Sequence, residues 1–142
     1  MIGQKDEIPE FEAQNQDGET VRSEDIKHAI IYFYPKASTP GCTTEACDFS
    51  DNLKRFEQLD LAVYGVSTDT VEAQKEFHDN QNLEFDLLAD PEGKLAEKFG
   101  VLDGEYAERT TFIIRDGKVE KVFRKVDPNG HVDELVEYLG DK

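Results

Sequence analysis

Tryptophan is absent from the 142 residues, methionine occurs once and cysteine only twice. Cations are also scarce, with 16 Lys+Arg against 32 Asp+Glu and a formal net charge of −16. A chain this poor in lysine and arginine is ill suited to displace counterions from phosphates, which argues against a nucleic-acid partner. Anionic membrane surfaces are disfavoured for the same reason. No apolar run approaches the ~20 residues of a spanning helix. The first residues, Met1 to Phe11, have no signal-peptide core. The expected compartment is therefore the cytoplasm, where thiols stay reduced. Two cysteines are too few for a disulfide scaffold, and His28, His78 and His131 lie far from Cys42 in sequence. A four-ligand zinc site is not expected.

What is present describes a folded protein under an acidic coat. Hydrophobic residues make up 37% and aromatics 10% of the chain, richer than a disordered acidic segment. The length suits one domain spanning residues 1–142. The carboxylate excess reads as an adaptation to a salty cytoplasm, where screening relieves self-repulsion.

Periodicity places the elements. Asn15-Gln16-Asp17-Gly18 reads as a turn between two short extended pieces. Residues 29–34, Ala-Ile-Ile-Tyr-Phe-Tyr, form a β-branched and aromatic run typical of a strand buried on both faces, ended by Pro35. Ala46, Phe49, Leu53 and Phe56 recur at helical spacing, predicting one helix from about Cys42 to Leu59, with Phe49 and Phe56 in the core. Leu61–Val66 and Phe85–Ala89 read as strands, and Val71–Asn80 as a helix capped from Thr68-Asp69-Thr70. A short helix, Lys94–Phe99, stops at Gly100. Thr110–Arg115 and Val119–Arg124 flank a turn containing Asp116-Gly117, and a last helix covers about Val132–Leu139. This order implies an α/β fold, a central mixed sheet with helices on both faces. Chemistry in such sheets sits at the carboxyl ends of strands, which is where residues 35–41 lie.

Both cysteines fall just beyond that loop. A helix start favours the thiolate of Cys42, through unpaired N–H groups and the positive end of the helix dipole. The plainer reading is a buried core cysteine. Cys47 lies five residues on. In an intact helix the two α-carbons stand about 8.7 Å apart, whereas a disulfide needs less than about 7 Å. A bond between them requires the first turns to unwind, which excludes a static staple and a Cys-x-x-Cys redox pair. Two unrelated thiols, or a nucleophile with a mobile resolving partner, remain. In the second case Cys42 forms a sulfenic acid with which Cys47 condenses.

The run Phe33-Tyr34-Pro35-Lys36-Ala37-Ser38-Thr39-Pro40-Gly41-Cys42-Thr43-Thr44-Glu45-Ala46-Cys47-Asp48-Phe49 resembles the peroxiredoxin active site, and most nearly that of the peroxiredoxin Q (bacterioferritin comigratory protein) subfamily. The signature is Pro-x-x-x-Thr-x-x-Cys with a second cysteine five positions on. The likeness extends through Asp90-Pro91-Glu92-Gly93 and Arg109-Thr110-Thr111-Phe112-Ile113-Ile114. It implies a thioredoxin-like fold and reduction of hydrogen peroxide or organic hydroperoxides, without metal, haem or flavin. By that resemblance Cys42 is the peroxidatic and Cys47 the resolving cysteine. Thr39 supplies a hydroxyl to the peroxide and thiolate, Pro35 shields the sulfur, and Arg109 stabilises the anion and the charge moving onto oxygen. The implied reductant is thioredoxin or a glutaredoxin-like protein, and the implied assembly a monomer or weak dimer. Ala37-Ser38 and Arg115 depart from the family pattern without touching reacting atoms.

Plainer roles stand beside these. Thr39 suits a turn or helix cap, and Arg109 a surface ion pair with Glu105 or Glu108. Glu45 is assigned to the first helical turn with a structural role and a minor part in the site, and the three histidines to the surface. A peroxide-responsive sensor without turnover is the rival function. A disulfide reductase is disfavoured by the cysteine spacing and by the lack of proline between Glu92 and Asp127.

Overall fold

The computed structural model describes residues 2–140. Seven strands form one sheet in the order β2-β1-β5-β4-β3-β8-β9. These are β1 (Glu12–Gln14), β2 (Thr20–Arg22), β3 (Ala29–Phe33), β4 (Ala62–Ser67), β5 (Asp86–Ala89), β8 (Thr110–Arg115) and β9 (Lys118–Arg124). The central β3, β4 and β5 run parallel, while β8 pairs antiparallel with β3 and with β9. A separate pair, β6 (Leu102–Asp103) and β7 (Tyr106–Ala107), was not anticipated from sequence, because each strand is only two residues long and mostly exposed. The helices are α1 (Pro40–Asp51), α2 (Leu53–Gln58), α3 (Val71–Asn80), α4 (Lys94–Phe99) and α5 (His131–Gly140). This is the thioredoxin fold expected from the resemblance.

Alternation along β3 explains the layering, since successive side chains of a strand point to opposite faces. Ile30, Tyr32 and Tyr34 enter one core, with Phe49 of α1, Phe56 of α2, Phe77 of α3 and Leu135 of α5. Ala29, Ile31 and Phe33 enter the other, with Phe11 and with Leu95 and Phe99 of α4. Among the described residues, α1, α2, α3 and α5 cover one face and α4 covers the other.

Three expectations change in detail. The single helix expected from Cys42 to Leu59 begins at Pro40 and breaks at Asn52, whose φ of −109° and ψ of 8° leave the helical range. The Asn52 side chain donates to the Asp48 carbonyl at 2.9 Å, replacing helix continuity with a side-chain bond. Glu45 therefore lies beyond the first turn, so the helix-dipole argument does not account for it. The β8–β9 turn is the two-residue Asp116-Gly117, with φ of 54° and 73°, the double left-handed conformation that suits a tight hairpin.

Candidate active site

The register of the sheet assembles the site. Phe33 at the end of β3 pairs with Thr110 at the start of β8, so Arg109 stands beside the chain as it leaves β3 through Pro35. The loop is fastened from two sides. The Ala37 amide donates to Asp69 Oδ2 at 2.7 Å, an oxygen that also accepts from the Ser67 hydroxyl at 2.6 Å. Thr39 Oγ1 donates to the Lys36 carbonyl at 2.8 Å, and Ser38 between them takes a φ of 64°. A non-glycine residue in that region carries strain, held here by the two flanking bonds.

Thr39 is the N-cap of α1 by backbone, but its hydroxyl makes no capping bond. Pro40 follows with no N–H to satisfy. The Gly41 and Cys42 amides are thus left without a capping side chain at the end of the helix that attracts anions. Cys42 occupies the first turn and is 1% exposed. Its sulfur accepts a hydrogen bond from Arg109 Nη2 at 3.3 Å. Nη1 of the same guanidinium donates to Glu45 Oε1 at 2.9 Å. Cys42 and Glu45 are three residues apart, hence on one face of α1, and Arg109 bridges them.

Gly41 makes this approach feasible. A Cβ there would stand 3.2 Å from Arg109 Nη2 and 3.3 Å from Pro128 Cγ. Pro128 reaches the site from the loop after β9, whose Val126 amide donates to the Arg109 carbonyl at 3.1 Å.

Glu45 plays a larger part in the site than its sequence position suggests. It is fully buried, its Oε2 has no hydrogen-bond partner among the described residues, and its acid is pushed up to about 7. Burial is the main cause and Arg109 opposes it. The detectable signal was its three-residue spacing from Cys42. Arg109 pairs with this residue, not with the nearby Glu105 or Glu108; Glu108 instead meets Arg124 at 3.5 Å.

The surface assignment of the histidines fails for His131, which is 3% exposed. Its Nε2 lies 2.7 Å from Thr111 Oγ1 and its Nδ1 3.2 Å from Glu134. Its ring stands edge-on to Phe49, with centroids 6.3 Å apart. Burial lowers its pKa, Glu134 opposes this, and the positive Arg109 adds to the lowering. Nothing in the local sequence marks it as buried, because the neighbours that bury it come from α1, β8 and β9.

Both cysteines are free thiols. Cys47 is half-buried on the same unbroken helix, and its thiol donates to Gln81 Oε1 at 3.5 Å. Burial and the nearby Asp51 and Asp48 carboxylates raise its pKa. The structure thus brings Cys42 and Arg109 into contact, with Thr39 and Pro35 in the adjoining loop, and leaves Cys47 further along α1. No group of residues able to hold a metal ion occurs among the described residues. None of the described helices is long and apolar enough to cross a membrane.

Known proteins share this arrangement of chain. Residues 4–122 match the AhpC/TSA family. Peroxiredoxin Bcp of Bacillus subtilis is 45% identical, over 99% of this chain and 95% of the relative. The crystal structure of peroxidoxin BcpB from Mycobacterium tuberculosis superposes with a TM-score of 0.89 at 34% identity, covering 99% of this chain and 98% of that one. A structure of the Xanthomonas campestris bacterioferritin comigratory protein, a protein with alkyl peroxide reduction activity, gives 0.87 at 31% identity, covering 92% of this chain and 90% of the other. With a family match over most of its length and a close relative spanning nearly all of it, the chain belongs to the AhpC/TSA family, among its Bcp-type peroxiredoxins.

Proposed function

We propose that this peroxiredoxin reduces hydrogen peroxide and organic hydroperoxides through a Cys42 sulfenic acid and a Cys42–Cys47 disulfide. The observation that carries the reading is the Arg109 Nη2 contact with the Cys42 sulfur at 3.3 Å. A fixed cation beside a sulfur at a helix N-terminus stabilises the thiolate and then the negative charge that develops on oxygen. The Cys42 thiolate attacks one peroxide oxygen. The O–O bond breaks, sulfur is oxidised to the sulfenic acid, and the departing oxygen takes a proton to leave as water or alcohol. Glu45 holds the guanidinium from its other side, while Pro35, Ala37 and Thr39 form the fastened loop that limits access to the sulfur. The alkyl peroxide reduction activity of the Xanthomonas campestris protein supports the organic substrates.

Cys47 then condenses with the sulfenic acid after the start of α1 unwinds, and a thioredoxin or glutaredoxin-like dithiol reduces the disulfide. No metal or organic cofactor takes part. We place this chemistry in a single domain over residues 1–142, acting in the cytoplasm as a monomer or weak dimer. The rival reading, a sensor that signals without turnover, draws on the size of the rearrangement the disulfide requires.

Peroxide consumption with a thioredoxin system separates the two. The wild type should turn over continuously. Cys42→Ser should consume none, and Cys47→Ser should give one turnover and stop at an oxidised Cys42. A wild type that forms its disulfide once and consumes no further peroxide would identify the sensor, and an active Cys42→Ser would refute both readings.

A further inference from the structure

The peroxidase cycle gives no role to a side chain that touches one of its cysteines. Gln81 terminates α3, and its Oε1 accepts the hydrogen bond from the Cys47 thiol at 3.5 Å. Its base is fixed, because the Gln81 amide donates to the Phe77 carbonyl at 3.1 Å and the Leu83 amide to the His78 carbonyl at 3.0 Å. Phe77 and Leu83 are both buried in the core that also contains Cys42 and Phe49. The amide oxygen therefore reaches α1 from an anchored position.

Two consequences follow for Cys47. It must leave its helical seat to reach Cys42, since the two α-carbons stand about 9 Å apart in an unbroken helix and a disulfide requires less than about 7 Å. Leaving breaks the bond to Gln81. Cys47 must also attack as a thiolate, and an amide oxygen that accepts the S–H proton stabilises only the thiol. The Asp48 and Asp51 carboxylates act in the same direction.

We propose that Gln81 is a positioning residue that holds Cys47 as a seated thiol, delaying its attack and setting the balance between disulfide formation and overoxidation of Cys42. The proposal rests on Cys47 being the resolving cysteine. In the delayed step the Cys47 thiolate attacks the Cys42 sulfenic sulfur. The S–S bond forms, the S–O bond breaks, and hydroxide leaves as water with the proton Cys47 gave up. One sulfur is oxidised as the other is reduced, so no outside oxidant is needed. In the competing step a second peroxide molecule oxidises the sulfenic acid to the sulfinic acid and leaves as water or alcohol.

The test uses the full-length reduced protein, as wild type, Gln81→Met (similar length, no amide oxygen) and Gln81→Glu (acceptor kept, charge added). Hydrogen peroxide is mixed in at one equivalent, and in separate runs at increasing excess for overoxidation; samples are quenched with a thiol-blocking reagent, and mass spectrometry reads sulfenic acid, disulfide and sulfinic acid. Gln81→Met should form sulfenic acid at the wild-type rate. It should then form the disulfide about two- to fivefold faster, the effect of losing one modest hydrogen bond. It should also need correspondingly more peroxide for overoxidation. Gln81→Glu should form the disulfide no faster than wild type. Disulfide formation in Gln81→Met within about 1.5-fold of wild type, below the effect of a typical hydrogen bond, would overturn the proposal. So would acceleration accompanied by a slower first step and a lower melting temperature, which marks general loosening. A wild type that forms no Cys42–Cys47 disulfide would instead refute the assignment of Cys47, whatever the Gln81 variants do.

Discussion

Glu45→Gln tests the electrostatics of the site most directly. The carboxylate is fully buried against Arg109, with one oxygen unpartnered among the described residues. Its acid rises from 4.5 to about 7, chiefly through burial. Because the folded protein holds this proton more tightly than the unfolded chain, the stabilisation is fully present below pH 4.5 and lost as pH rises through about 7. From these two values the loss amounts to about 1 kcal/mol at pH 5.5 and about 3 kcal/mol at pH 8.5. Glutamine resembles the protonated acid, since it still accepts from Arg109 and carries no charge to desolvate. The buried amide nitrogen that replaces Oε2 offsets part of the gain, by about 1 kcal/mol. That offset is independent of pH. The stability of Glu45→Gln minus that of wild type should therefore grow by about 2 kcal/mol between pH 5.5 and 8.5. Urea unfolding followed by far-UV circular dichroism measures it, under reducing conditions and above the sequence pI of 4.4. Contributions from groups remote from Glu45 cancel in the difference. A difference that stays flat across this range would refute the argument that burial dominates at Glu45.

Gly41→Ala places a Cβ 3.2 Å from Arg109 Nη2 and 3.3 Å from Pro128 Cγ. Displacing the guanidinium should lower kcat/KM for peroxide about tenfold, with little change in melting temperature because alanine is the better helix former; unchanged kcat/KM would show that Arg109 tolerates the shift. Phe49 is fully buried and stacked on Tyr32, with ring centroids 4.3 Å apart. Phe49→Ala should cost about 3–5 kcal/mol in urea unfolding, and a loss below about 1 kcal/mol would mean that the second half of α1 is not anchored there. Sixteen surplus negative charges should make the melting temperature rise with potassium chloride, as the screening length falls from about 10 Å at 0.1 M to about 3 Å at 1 M; equal melting temperatures at low and molar salt would dismiss the acidic coat as a salt adaptation.

Local chemistry by itself determined a good deal of this protein. The apolar run at residues 29–34 specified a doubly buried strand, because polar side chains there would lie in one core or the other. Asp116-Gly117 specified a tight hairpin through the left-handed conformations both residues accept. The cysteine spacing, read against helix geometry, required motion for any disulfide, and the Pro35–Cys47 run carried the family resemblance. What escaped the sequence depends on distance along the chain. Asn52 interrupts the predicted helix although the apolar spacing continues across it. Arg109 meets Cys42 only because β8 lies antiparallel beside β3, a pairing between segments nearly eighty residues apart, as Phe33 against Thr110 shows. The burial of Glu45 and His131 and the contact of Gln81 with Cys47 have the same origin. Local sequence sets which conformations a segment prefers, whereas the surroundings of a charge or a thiol are supplied by remote segments. Only the tertiary structure decided those.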